Sequence, residues 1–402
     1  MLVRAALVRG VLVRTGTADR PYGRNAELPH LCDDPSMVVR PGPLLLQWTA
    51  VAPMIAVVLL ILTWGRDLPG LLVIVVTLVL AGSVLAAVHH AEVVAHRVGE
   101  PFGSLVLAVA VTVIEVALIV TLMIDGGDKS ASLARDTVFA AVMITCNGIV
   151  GLSLLVASLR HGVAVFNPEG TGAALATVAT LATLSLVLPS FTTSAPGPEF
   201  STVQLTFAAV TSLILYGLFV ATQTVRHREY FLPITRHGRV VTEDQQAEAP
   251  TTRTAMISLV LLGLALVGVV GLAKGVSPTI ESGVSAAGLP HAVVGVVIAL
   301  LVLLPETIAA LRAARRDRVQ TSLNLGLGSA MASIGLTIPA VALASVWLSG
   351  PLVLGLGATH MVLLALTIVV SSLTVVPGRA TPLQGGVHLV LLAVFLELAA
   401  NP

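Results

Sequence analysis

Charge is what this 402-residue chain has least of: Asp, Glu, Lys and Arg make up 11% of it, against about 25% in soluble domains. With 56% of residues hydrophobic and a mean hydropathy of +0.96, that scarcity excludes a water-soluble globular fold. A formal net charge of +1 leaves no electrostatic footprint for nucleic acid, so no nucleic-acid partner is expected. Cysteine is nearly missing. Cys32 lies in a polar stretch and Cys146 in an apolar one, which supports neither a disulfide framework nor a zinc site. Aromatics are few, at 4%, whereas 35 glycines and many alanines suit helices packed closely in a bilayer. The apolar runs lack period-2 alternation, which excludes an outer-membrane barrel. What remains is an all-α polytopic membrane protein in contact with the lipid bilayer.

A helix rises about 1.5 Å per residue, so roughly 20 apolar residues cross a hydrocarbon core of about 30 Å. Stretches of that length fall near residues 45–64, 68–89, 102–124, 135–158, 171–191, 203–223, 255–273, 290–311, 321–347, 352–374 and 383–399. They predict about 11 transmembrane helices, called spans 1 to 11 below. When the spans alternate, all 22 Lys and Arg residues except Arg66, Lys129, Arg135 and Lys274 fall on one side. The positive-inside rule makes that side cytoplasmic, placing the N-terminus inside and the C-terminus outside the inner membrane. Residues 1–44 read as an Arg-bearing, Pro/Gly-punctuated cytoplasmic tail with no signal peptide. An interfacial helix over Met1–Arg14 and a native start near Met37 stay open. Residues 45–67 hold span 1, and 224–254 form the longest polar interruption, a cytoplasmic linker.

The segments on either side of that linker rhyme. GSLVLAVAVTVIEVALIV places Glu115 inside span 3, and RDTVFAAVMITCNGIVGL follows as span 4; GVVIALLVLLPETIAALRAA places Glu306 inside span 8, and RDRVQTSLNLGLGSAMASIGL follows as span 9. Arg135-Asp136 corresponds to Arg316-Asp317, and Asn147-Gly148 falls near Gly328-Ser329. Setting span 1 aside leaves one N-terminal helix plus two five-helix repeats, 68–223 and 255–402. An odd number of helices per repeat inverts the second copy in the membrane, the arrangement of alternating-access transporters.

Three acidic residues lie well inside spans: Glu115, Glu306 and Glu397. A carboxylate at the bilayer centre costs about 2.5–3.5 kcal/mol on insertion scales, and no Lys or Arg shares these spans. A proton, a bound cation or water must therefore stabilise Glu115 and Glu306, and a group that holds either a proton or a metal ion is the minimum chemistry of an antiporter. Glu397 is near a membrane surface, where snorkelling accounts for it. Pro305 has no amide hydrogen and is expected to free the carbonyl of Leu301 beside Glu306; Ile114 stands at the equivalent place in the first half, so the half-sites should be unequal. Thr112, Thr145, Asn147, Ser329 and Ser333 are neutral oxygen donors of the kind calcium and sodium accept. Gly148, Gly151, Gly326 and Gly328 should let spans 4 and 9 cross closely. At the cytoplasmic end of span 2, His89, Glu92 and His96 share a helix face as a route for ions or protons, or simply as an interfacial polar cap. Their spacing is not the H-E-x-x-H of a metalloprotease. Glu100 opposes the dipole of span 3.

At these residues the chain resembles the calcium/cation antiporter superfamily, most closely its bacterial ChaA-type calcium, sodium and potassium/proton antiporters. AAVHHAEVVAHRVGEPFGSLVLAVAVTVIEVALIV and LPETIAALRAARRDRVQTSLNLGLGSAMASIGLTIPA carry the resemblance most strongly. It implies that Glu115 and Glu306 coordinate the ion, with Asn147 and Ser329 contributing from the following helices. The chain departs from proton-coupled calcium exchangers where Thr112-Val113 and Leu303-Leu304 replace the usual Gly-Asn, and where Ala332 replaces a glutamine. Loss of those amide oxygens leaves monovalent exchange open. The expectation is a secondary antiporter exchanging Ca²⁺, Na⁺ or K⁺ for H⁺, with no cofactor; oligomeric state is left open. A passive cation channel and a membrane-embedded hydrolase are the alternatives. The hydrolase lacks mid-span histidines, and Cys146 has no mid-span acid or base in its own helix.

Overall fold

The computed structural model describes residues 47–66, 68–99, 102–126, 131–234, 250–347 and 351–402. The N-terminal tail with Cys32 and Met37, Glu100, Lys129 and residues 235–249 of the linker lie outside the described residues. Span 1 is α1 (Trp48–Thr63), span 2 is α2 (Gly70–Val98) and span 3 is α3 (Phe102–Gly126). In span 4, α4 (Leu133–Met143) and α5 (Val150–His161) form one rod through a π-helical turn, Ile144–Ile149. Span 5 is α6 (Pro168–Ala182), extended by π and 3₁₀ turns to Ser190, and span 6 is α7 (Thr202–Ala221), extended by a π turn to Arg226. The second half comprises α8 (Thr252–Ala286), then α9 (Ala292–Val302) and α10 (Leu304–Arg315) bent by 52°, α11 (Val319–Ala344), α12 (Ala358–Val375) and α13 (Pro382–Ala400). Each of the eleven predicted stretches falls on one of these helices. Among the described residues eight helices are long and apolar enough to cross a membrane, or nine with the bent pair as one span; α1 and Ala108–Ile124 of α3 are shorter apolar runs.

Local chemistry sets many of the ends. Pro168 opens α6 behind Asn167, whose Oδ1 accepts from the amide of Glu169 at 2.9 Å, and Ser201/Gln204 and Thr381/Gln384 form capping boxes for α7 and α13. Three expectations need correction. Span 7 extends well past residue 273, because Ser277 bonds Glu281 at 3.0 Å and keeps a polar end helical. Span 10 does not begin at 352: residues 351–357 are not helical, with Leu354 and Leu356 buried. Finally, Pro305 does not sit mid-helix freeing a carbonyl one turn back. The helix ends at Val302 and restarts, with Pro305 in the first turn of α10, where a missing amide hydrogen costs nothing.

The packing obeys an exchange of spans 2–6 with spans 7–11. The contact of α3 with α11 is mirrored by those of α9 with α4 and α10 with α5. The contacts of α11 with α6 and α7 are mirrored by those of the π turn with α12 and of α5 with α13, while α2 against α8 is its own mirror. Even the connections follow the rule. β1 (Ala164–Val165) after α5 pairs antiparallel with β2 (Arg379–Ala380) after α12; at the other end of the bundle Glu199, before α7, bridges Val353, before α12. Span 4 is apolar on nearly every face and is the most enclosed of the spans, as a helix hydrophobic all round must be. It forms the core together with α11.

Candidate functional site

Glu115 projects from α3 onto α11. Its Oε2 accepts a 2.9 Å hydrogen bond from Ser333 Oγ, and Thr337, one turn further along α11, faces the same carboxylate. Glu115 is 2% exposed, and its Oε1 has no hydrogen-bond partner; nor does the buried hydroxyl of Thr337. Buried polar groups are nearly always paired, so these two oxygens stand out in the interior of the bundle.

The second carboxylate sits where the chain breaks. Glu306 occupies the first turn of α10, whose N-terminal dipole favours negative charge, and its Oε2 is likewise buried without a partner. It forms part of the wall of a cavity of about 230 Å³. Ala108 and Val111 of α3, Tyr216, Phe219 and Gln223 of span 6, and Thr321, Asn324, Gly328 and Ser329 of α11 complete much of that wall. The two glutamates are close enough for the charge of Glu115 to act on Glu306, and the charge of Glu92 reaches it too. Discontinuous helices at mid-membrane are how transporters expose backbone and helix ends to ions.

The remaining sequence candidates divide. Ser329 lines the Glu306 cavity. His89, Glu92 and His96 lie along α2 toward its C-terminal end; both histidines and Arg312 of α10 act electrostatically on Glu92, so this face adjoins the Glu306 half-site. Thr112 is buried, but it borders an apolar groove formed with Val109, Val113, Val116, Leu336 and Ala340 rather than the Glu306 cavity. Asn147 is fully buried in the π turn, and its side-chain hydrogen bonds go to Thr367, Met143 and His388, not to either glutamate. Thr145 spends its hydroxyl on the carbonyls of Ala141 and Val142. Glu397 is exposed near the end of α13 and accepts from Asn401 at 2.9 Å, in keeping with snorkelling. Of the glycines, Gly326 does face span 4, with its Cβ direction 3.2 Å from Ile149 Cγ2; Gly148 and Gly151 instead face α13, and Gly328 borders the cavity.

Sequence reasoning missed Thr337, Gln223, Asn324 and His388. Thr337 lies four residues after Ser333, on the same face of α11, and that spacing was a usable signal. Asn324 bonds the carbonyl of Phe231 at 2.6 Å, and only tertiary packing reveals that contact.

An all-helical bundle with inverted halves, a broken helix and two glutamates inside its spans is the architecture of a membrane transporter. The profile described as sodium/calcium exchanger protein matches residues 68–225 and 257–400, and the chain belongs to that family. It is 33% identical to the sodium-potassium/proton antiporter ChaA of Escherichia coli over 86% of this chain and 94% of that protein. It is 46% identical to y4hA of Sinorhizobium fredii, named as an ionic transporter, over 88% and 96% respectively. Among solved structures, native YfkE superposes with a TM-score of 0.64 at 16% identity, covering 88% of this chain and 99% of that one. The H⁺/Ca²⁺ exchanger CAX gives 0.63 at 15%, covering 87% and 86%. The protein is a ChaA-type member of the calcium/cation antiporter superfamily, a multi-pass cation exchanger and not an enzyme.

Proposed function

We propose that the protein exchanges Ca²⁺, Na⁺ or K⁺ for protons across the inner membrane, with Glu115 and Glu306 holding a cation or protons in competition. The observation that carries this reading is the pair of intramembrane glutamates, each with a buried, unpartnered oxygen, one of them on a cavity wall. Ser333, Thr337 and Ser329 add neutral oxygens, suited to hard cations that must be released again. In this reading the ion is cargo that the site takes up and releases on each cycle. With the N-terminus cytoplasmic, the Glu306 cavity faces the cytoplasm, and His89, Glu92 and His96 flank the way in. The cation loads onto the ionised pair, the halves rock, and protons taken up on the opposite side discharge it. One Ca²⁺ against two H⁺ is electroneutral; any other ratio couples to voltage at about 2.3 kcal/mol per charge per 100 mV.

The test is proton flux in everted vesicles with each cation in turn, comparing wild type with Glu115→Gln and Glu306→Gln. Exchange driven by a pH difference alone, able to run a cation uphill, is expected of wild type and lost in both variants. Retention in both variants would overturn the assignment, and downhill flux alone would indicate a channel.

A further inference from the structure

A second buried polar centre lies where span 4 meets α12 and α13, and the glutamates take no part in it. Its members are Asn147 of the π turn, Thr367 and Thr374 of α12, and His388 of α13, all buried. Asn147 Nδ2 lies 3.0 Å from Thr367 Oγ1 and 3.9 Å from the sulfur of Met143, both acceptors for its hydrogens, so its Oδ1 is the atom facing His388 Nδ1 at 3.1 Å. An amide oxygen only accepts; His388 Nδ1 therefore carries the hydrogen, and the carbonyl of Cys146 is a further acceptor beside the imidazole. In the neutral ring Nε2 is then an acceptor, and the hydroxyl of Thr374, at 3.2 Å, supplies its hydrogen. Thr367 in turn points its hydroxyl at the Met143 sulfur, 3.6 Å away. The result is a one-directional chain, Thr374 to His388 to Asn147 to Thr367 to Met143. Beyond Thr374 lies a void of about 10 Å³ bordered by Thr171, Ser371 and His388, room for about one water, where the Ser371 hydroxyl has no other partner.

The backbone is built for this contact. A Cβ on Gly151 would lie 2.9 Å from His388 Cβ, and one on Gly385 would lie 2.7 Å from the Leu155 amide nitrogen, so both helices present glycine at the crossing. The opposite side of the π turn meets α11: Gly326 faces Ile149 and the Thr145 carbonyl. Ser329 and Ser333 lie one and two turns further along that helix.

We propose that His388 is a positioning residue: held as the neutral Nδ1–H tautomer, it fixes the Asn147 amide and so the π turn against which the ion-binding helix α11 packs. It acts on exchange only through that geometry. The transport arm of its test rests on the function proposed above, and the spectroscopic arm does not.

Asparagine at 388 keeps an amide donor where Nδ1 stood, glutamine moves the polar group toward Nε2, and leucine removes both. His388→Asn is expected to exchange within about 3-fold of wild type, with His388→Gln and His388→Leu reduced about 10-fold or more in turnover at little changed KM. The reverse order, with glutamine active and asparagine not, overturns the proposal. Independently of transport, ¹⁵N-histidine spectra of the wild-type protein at pH 7, assigned by difference from the folded His388→Asn variant, should contain one neutral imidazole protonated at Nδ1. An imidazolium or an Nε2–H tautomer at that signal refutes it.

Discussion

Gly385→Ala should separate two helices that touch backbone to backbone. The added methyl would lie 2.7 Å from the Leu155 nitrogen and 2.9 Å from both Leu155 Cα and the Gly151 carbonyl oxygen. All three are main-chain atoms, so no rotamer change relieves the clash, and α13 must move off α5 by several tenths of an ångström. Overpacking of this kind costs about 1–3 kcal/mol. The control is next door. Gly386 has nothing within 4 Å of its Cβ direction, so Gly386→Ala brings the same gain in helix propensity, about 1 kcal/mol, without the collision. Comparing the two cancels propensity and isolates the close approach. Melting can be followed in detergent with a thiol-reactive dye, because Cys146 is buried in the adjacent π turn; a Cys32→Ser background removes the other thiol. Gly385→Ala should melt lower than Gly386→Ala by about 1–4 °C. Equal melting temperatures would refute the packing argument and, with it, the tight seat claimed for His388.

Pro305→Ala restores an amide hydrogen at the break between α9 and α10. Exchange measured in proteoliposomes should fall about 10-fold with the protein still folded, and an unchanged rate would deny the break a role. Asn167→Ala removes the cap of α6 at a cost of about 1 kcal/mol; the melting curve should shift down while cation KM stays put. Gly170→Val pushes a side chain into the carbonyl of Tyr230, dislodging the 3₁₀ turn Arg228–Phe231. Limited trypsin digestion at Arg228 should then proceed several-fold faster, and an unaltered cleavage rate would mean that the turn does not depend on that approach.

How far the sequence could be read depended on the kind of signal. Apolar runs of membrane length each fell on helix, eight or nine of them long and apolar enough to cross a membrane among the described residues, and the two glutamates stood out because so few charges share their surroundings. The breaks were harder. A π turn at Ile144–Ile149 leaves no mark on hydropathy, and Pro305 could be read as an interior kink or as a helix start; the choice depends on where the preceding helix ends, which tertiary packing decides. Neutral oxygens were the least legible. Asn147 and Ser333 are equally polar on paper, yet one turns to His388 and the other to Glu115, because rotation of a helix about its own axis is fixed by its neighbours. The glycines show the same limit. Gly148 and Gly151 announced a close crossing but could not say that the partner was α13.

The paired bridges have a mechanical meaning. β1 with β2, and Glu199 with Val353, each tie a connection from one half of the chain to a connection from the other. They stand at opposite ends of α12, whose 18 residues span about 27 Å. A swing about the line through both pins leaves both bridges intact. Sliding along the membrane normal, as an elevator would, must first unzip one of them.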